Sequence, residues 1–348
     1  MLRKSVFSLA ALVAGFGATL AGPVQADAAT AAPAPAKACV TGAKLVPTCN
    51  VLWGAAAGGF TTLPRDTELK NWEKLSGRTS TIFHTYHKGD EVFPTPSETA
   101  MTRDPAHPRV LLLNWRVEYG ATWADVAAGK MDRRIDTFAA RAKAYGQNFF
   151  LVLNHEPEDD VRPAAGSGMT AANFAASFRH VIQRLRTQGA TNAVSVVAYM
   201  GNEKWMAQSW WKDLYPGNDV VDWIGLDSYV SAEPGYYHHG MFGDLLDRHA
   251  PKGEAFYQWA TTKHQGKPLM VAEWGVYHRV GKVFDKSAQF DSVLPELANR
   301  PAVKAIVYFD TKKDLFGDRD ISINSSPKSL ATFRKLAASP LFDVRIAK

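Results

Sequence analysis

The sequence predicts an α/β protein built as a single-domain (β/α)8 TIM barrel, and three observations carry that prediction. Eight short apolar, β-favouring runs alternate with eight intervening or closing segments, mostly helical, over about 290 residues, the count and length such a barrel needs. The open doubly wound alternative would usually place a glycine-rich phosphate turn after its first strand, and Gly54-Ala-Ala-Ala-Gly58-Gly59 lacks the required spacing. No internal repeat or second composition regime divides the chain, so one domain is preferred to two.

The elements follow in order. Residues 1–26 read as a secretory signal, with Arg3-Lys4 as the positive region, Val6 to Leu20 as the apolar core and Val24-Gln25-Ala26 as a small-residue cleavage site. Residues 27–50 form an Ala/Pro-rich leader that contains both cysteines of the chain, Cys39 and Cys49. In an exported protein such a pair usually closes as a disulfide, and a metal site would need more ligands than this segment offers. The barrel domain is expected over 51–348.

Its first strand is Val51 to Ala57, followed by a helix from Arg65 to Leu75 that Gly77 stops. Arg78 to Tyr86 is the second strand, and 94–107 after it is the least regular stretch. Arg109 to Val117 is the third, and one helix is expected from Thr122 to Tyr145. The fourth strand lies in the stretch Asn148 to Asp160 (NFFLVLNHEPEDD), and its helix, Thr170 to Arg186, repeats Phe174, Phe178, Val181, Ile182 and Leu185 at helical spacing. Ala193 to Met200, Val220 to Val230, Pro268 to Glu273 and Val303 to Phe309 complete the eight. Helices are expected at 206–214, 245–263, 287–299 and 329–338.

The formal charge of +6 falls to +4 once the signal and its two basic residues are removed, and no basic cluster with interleaved aromatics appears. Nucleic acid is therefore not an expected partner. Nor is a membrane once the signal is gone, because no other apolar run is long enough to span one. A secreted monomer is the expectation.

In a barrel of this kind, active sites form where the strands end at the C-terminal face. Those ends carry Trp53, His84, Tyr86, His87, Trp115, Glu118, His155, Glu156, Tyr199, Asn202, Asp227, Tyr229, Glu273, Trp274 and Asp310. Aromatic rings stack on the C–H faces of sugars, and two carboxyl groups flanking a glycosidic bond can cleave it. Glu156 and Glu273, delivered by two strands, are the catalytic candidates, with Asp227 in support. His84, His87, His155, His238 and His239 raise a metal reading, but residues 84 and 87 should face opposite sides of a strand, so no metal or cofactor is expected. The acidic run 310–320 lacks the spacing of a calcium loop and reads as solvated. Trp205 and Tyr236 or Tyr237, in aromatic loops after the fifth and sixth strands, are candidates for sugar contacts.

These residues resemble the (β/α)8 retaining glycoside hydrolases with catalytic glutamates after strands four and seven, and among them glycoside hydrolase family 26, the β-mannanase family. The resemblance runs through W-R-V-E-Y at 115–119, His155-Glu156, D-W-I-G-L-D-S-Y at 222–229 and A-E-W-G at 272–275. It implies Glu156 as acid/base, Glu273 as nucleophile, His155 holding the substrate or acid/base region, and Tyr229 bonded to the nucleophile. His84, Trp115, Trp274, Trp205, Tyr236 and Asp310 complete the expected substrate contacts. The chain departs from the family in having Pro157-Glu158 where Met-Asn is usual, Leu-Val-Leu-Asn where an arginine usually precedes the His-Glu pair, and Phe309-Asp310 where a tryptophan is usual. The expected activity is retaining cleavage of β-linked polysaccharide, β-1,4-mannan first. The alternatives are a non-catalytic glycan-binding or cell-envelope barrel, or a related hydrolase of β-glucan, xylan or exopolysaccharide.

Overall fold

The computed structural model describes residues 38–347; the expected signal at 1–26 and the leader up to residue 37 lie outside the described residues. Eight parallel strands form a closed ring: β1 (Leu52–Ala57), β2 (Ile82–Lys88), β3 (Val110–Arg116), β4 (Phe149–Leu153), β5 (Ala193–Tyr199), β6 (Trp223–Ser231), β7 (Leu269–Arg279) and β8 (Val303–Asp310). Each pairs with its sequence neighbours, and β1 against β8 closes the barrel. A two-residue strand, β9 (Arg319–Asp320), runs antiparallel on the far end of β7.

The strands are apolar on both faces because both faces are covered. Inside the ring, Leu52, Ile82, Leu112, Phe150, Val152, Val196, Trp223, Met270 and Val307 fill one core. Outside it, alternate residues of the same strands meet the helices in a second, larger core that includes Trp53, Trp115, Tyr199, Trp274 and Tyr308. This alternation decides which strand-end residues reach the mouth.

The helical shell comprises α1 (Arg65–Ser76), α2 (Pro96–Arg103), α3 (Trp123–Ala127), α4 (Asp132–Tyr145), α5 (Pro157–Asp160), α6 (Ala171–Thr187), α7 (Glu203–Met206), α8 (Phe242–Asp247), α9 (Phe256–Lys263), α10 (Ser287–Asn299) and α11 (Pro327–Ala337). The irregular stretch 94–107 holds α2, started by a capping box in which Thr95 and Glu98 exchange hydrogen bonds with each other's backbone N–H. The single helix expected over 122–145 is two, because Gly129 adopts φ +80°, a left-handed conformation that breaks the run. The stretch 245–263 is likewise divided into α8 and α9, with Pro251-Lys252-Gly253 between them. The expected helix at 206–214 is replaced by α7 and a short 3-10 turn, Trp211–Leu214.

At the lower end, Cys39 and Cys49 are disulfide-bonded, and Leu45 is buried against the barrel interior with Val344. Val40 bridges to Arg345, so both ends of the described chain close the same opening.

Candidate active site

The site begins with an abrupt exit from β4. Asn154 and Glu156 both take positive φ, 50° and 53°, which side chains other than glycine rarely adopt, so the chain turns sharply at His155 and starts α5 on Pro157. The Glu156 N–H donates to the Ala198 carbonyl at 3.0 Å. Pro157 at the first helical position needs no backbone partner there. Glu158 is fully buried and accepts from the N–H groups of Met200 and Gly201 and from the Trp211 indole at 3.2 Å. The Pro-Glu pair that departs from the family pattern therefore ties the β4 exit to the β5 exit.

Opposite, β7 carries Glu273 into the mouth, then continues six residues beyond it to Arg279, farther than the sequence suggests, because β6 and β9 both pair with the extension. Tyr229 on β6 donates its hydroxyl to Glu273 Oε2 at 2.6 Å, and Tyr86 on β2 donates to Oε1 at 2.7 Å. Gly275 makes room for this clasp, since a Cβ there would stand 2.3 Å from Ile321 Cγ2 and 3.2 Å from the Tyr229 ring. Asp227, two residues before Tyr229 on the same face of β6, is buried with neither carboxylate oxygen hydrogen-bonded.

Glu156, Asp227 and Glu273 each offer a carboxylate oxygen, and the three lie within 4.8 Å of one another. Such crowding of anions in a buried place favours protonation. Burial, then the Glu273 charge, pushes the Glu156 carboxyl well above its usual range, and burial followed by Glu273 and Glu156 does the same to Asp227. Burial also raises Glu273, but the Tyr229 and Tyr86 hydroxyls oppose it by stabilising the ionised form. The environment thus favours the protonated form of Glu156 more strongly than that of Glu273, whose ionised form the two tyrosines stabilise. Three carboxylates could also attract a hard cation, but such ions take six or more oxygens, and both Glu273 oxygens are already engaged by tyrosines.

The cavity over these groups has a volume of about 670 Å3. His155 lines it, edge-on to the Tyr86 ring, its imidazole lowered to about 4 chiefly by burial and so neutral near pH 7. Phe309 lines it as well, perpendicular to Tyr229 at 6.1 Å, and Phe60 packs against Phe309 at 5.8 Å. An apolar ring therefore does occupy the place where the family pattern has tryptophan. Arg248, largely buried, donates to Ser228 Oγ and to the Tyr229 carbonyl and so fixes the β6 exit. Asn202 Nδ2 donates to the Tyr237 hydroxyl, and the Tyr277 hydroxyl to the Tyr237 carbonyl, placing Tyr237 at the rim.

Of the expected site residues, Glu156, Glu273, His155, Tyr229 and the supporting Asp227 meet in this cavity, Asn202 and His238 line its wall, and of the pair Tyr236 or Tyr237 it is Tyr237 that lines it. The others stand elsewhere. His84 lies one layer below, stacked under Tyr86 at 4.5 Å and lowered to about 3 by burial. Trp115 faces outward, stacked on Phe138 at 4.2 Å with its indole donating to the Gly89 carbonyl. Trp274 faces outward against Phe242, Phe290 and Tyr308, as the residue after the inward Glu273 must. Trp205 packs on Trp210, and Tyr236 on Tyr277 under the Arg279 guanidinium. Asp310 is half-buried behind the mouth, accepts from the Ile323 N–H and is raised to about 7, chiefly by desolvation of its carboxyl. His87 faces away from His84 and meets Glu98 on α2 at 2.7 Å, and in the acidic loop Asp314 Oδ1 accepts from the Asp318 N–H.

The sequence reading placed Tyr86 at a strand end of the active face but gave it no role, though period-two alternation from His84 could have suggested one. Arg248 carries no sequence signal, because only the packing of α8 against β6 brings it to the mouth.

Comparisons with known proteins point the same way. The chain is 26% identical over 294 residues to endoglucanase H of Acetivibrio thermocellus, covering 79% of this chain and 29% of that protein. A β-1,3-xylanase of Vibrio sp. is 27% identical over 153 residues, 43% of this chain and 28% of the xylanase. The chain thus spans less than a third of the length of these curated relatives. No family model matches the sequence. A modular endo-β-1,4-mannanase of Cellulomonas fimi superposes with a TM-score of 0.55 at 17% identity, over 84% of this chain and 71% of the mannanase. A Bacillus subtilis mannanase does so with 0.53 at 13% identity, over 80% and 85%. The fold is that of the family 26 mannanases, as the sequence motifs suggested.

Proposed function

We propose that the protein is a retaining glycoside hydrolase that cleaves β-linked polysaccharide, with β-1,4-mannan as the first candidate substrate. The observation that carries this reading is the proximity of Glu156 and Glu273, with carboxylate oxygens within 4.8 Å. Retaining enzymes hold their two carboxyl groups about 5–5.5 Å apart, whereas inverting enzymes leave roughly 6.5–9.5 Å for a water molecule.

Glu273, held ionised by Tyr229 and Tyr86, attacks the anomeric carbon while Glu156 gives its proton to the leaving oxygen. The C–O bond to the leaving sugar breaks as the bond to Glu273 forms. Glu156, now ionised, takes a proton from water, which attacks the same carbon and returns Glu273 as a carboxylate. Asp227, itself pushed up by burial and by both glutamates, stands beside the pair in support, and Phe309 offers its ring to the sugar at the cleavage point. No step calls for a cofactor.

The names of the sequence relatives favour a second reading of the substrate, β-glucan or xylan with the same mechanism. Reducing-sugar release from mannan, β-glucan and xylan distinguishes them, with Glu273→Gln as control. Release that this substitution cuts by about 10^4-fold or more is expected. Binding without release by the unaltered protein favours the non-catalytic alternative.

A further inference from the structure

A second cavity, about 440 Å3, opens on the same face at the ends of β2 and β3, within the size range of small-ligand sites. Asp159 lines the central cavity and Asp160 this one, so the short helix α5 forms the partition between them. The Arg116 charge is felt by His155 in the central cavity.

Its lining joins three features. Three cations, Lys88, Arg116 and Arg162, face two carboxylates, Glu118 and Asp160. Arg116 engages both carboxylates, at 3.2 Å and 2.5 Å. Among the described residues no carboxylate pairs with Lys88 or Arg162. Glu118 is 4% exposed, and while its Oε1 accepts from Arg116, its buried Oε2 has no partner. Tyr119 leaves half its surface exposed, with the Lys88 ammonium 5.0 Å from its ring centre.

We propose that this cavity is a distal subsite for a sugar unit bearing an anionic group, a uronate carboxylate or a sulfate ester, on the glycan whose backbone occupies the central cavity. The inference rests on the glycan reading given above. Tyr119 supplies the stacking face, Lys88 and Arg162 the charge that meets the anion, and the free Glu118 oxygen an acceptor for a sugar hydroxyl, since a buried acceptor without a donor is costly to leave unanswered. A neutral sugar could use the ring and Glu118 but would gain nothing from the two cations, neither of which has a carboxylate partner among the described residues.

The test uses paired oligosaccharides of mannan, xylan and β-glucan type, neutral and with one glucuronate branch, titrated calorimetrically into Glu273→Gln protein so that turnover does not enter. At low salt the acidic member of at least one pair binds about three- to tenfold more tightly, the preference shrinks as salt is raised, and Lys88→Ala/Arg162→Ala abolishes it while affinity for the neutral member is kept. Thermal melting of the double variant verifies its fold. If no acidic member is preferred, or if the preference survives the double substitution, the proposal is wrong. Reducing-sugar release by the unaltered protein tests the hydrolase reading separately, so the two failures look different.

Discussion

The two ends of the barrel bury polar groups in opposite ways. At the lower end several are answered: Asp222 accepts from the Ser195 N–H and hydroxyl, the Trp223 indole donates to the Lys44 carbonyl at 2.8 Å, and Arg78 donates to the carbonyls of Ala337 and Ser339. At the upper end Asp227 has two buried oxygens without a partner, Glu156 and Asn154 hold positive φ, and three carboxylates crowd within 4.8 Å. Uncompensated burial and backbone strain destabilise a fold, and each such feature costs about 1–3 kcal/mol. Positive φ also occurs at the lower end, at Lys44, Leu45 and Asn50, so what sets the upper end apart is the crowding of three carboxylates around an unpartnered Asp227, and that crowding marks the place where an altered pKa is useful.

Substitutions at each end sharpen that contrast. Glu156→Gln should lower hydrolysis of unactivated polysaccharide by about 10^2- to 10^4-fold, because it removes the proton donor. An aryl glycoside with a good leaving group needs no proton, so a burst of dinitrophenolate should persist in the variant. Burial raises the Glu156 carboxyl, and the active form is the protonated one. Activity of the unaltered protein is therefore present below that raised pKa and lost as pH rises through it, and Glu156→Gln should erase this alkaline limb. A limb that persists in the variant would assign it to another group.

Tyr229→Phe should cost about 10- to 100-fold in kcat/KM, the loss of one hydrogen bond to a charged group. Tyr229 lowers the Glu273 pKa, so its removal should raise it and move the acidic limb of the pH profile upward. An unmoved acidic limb would mean that the tyrosine merely packs.

Opening the disulfide with Cys39→Ser/Cys49→Ser should lower unfolding stability by about 2 kcal/mol in denaturant titration and leave kcat within about twofold. A much larger loss of activity would show that the lower end is coupled to the site, and the contrast between the ends would fail.

The motif at 155–156, the glutamate at 273 and the tyrosine at 229 were legible in the sequence because strand exits in a parallel barrel all point to one face. Trp115 and Trp274 were misjudged from the same information, since an exit residue turns inward or outward according to its parity, and an apolar run alone does not fix that parity. Asp310 lies at an exit as well, yet the Ile323 N–H holds it behind the mouth. The divided helices at 122–145 and 245–263 turned on Gly129 and on Pro251 to Gly253, whose breaking effect outweighs the apolar periodicity around them.

Hydrophobic patterning thus determined the barrel by itself, because eight apolar runs buried on both faces have few other ways to be covered. Only the tertiary structure decided the state of the carboxylates. A pKa depends on desolvation and on charges from other strands, and Tyr86, Tyr229, Asp227 and Glu273 come from three strands, β2, β6 and β7, that meet only when the ring closes.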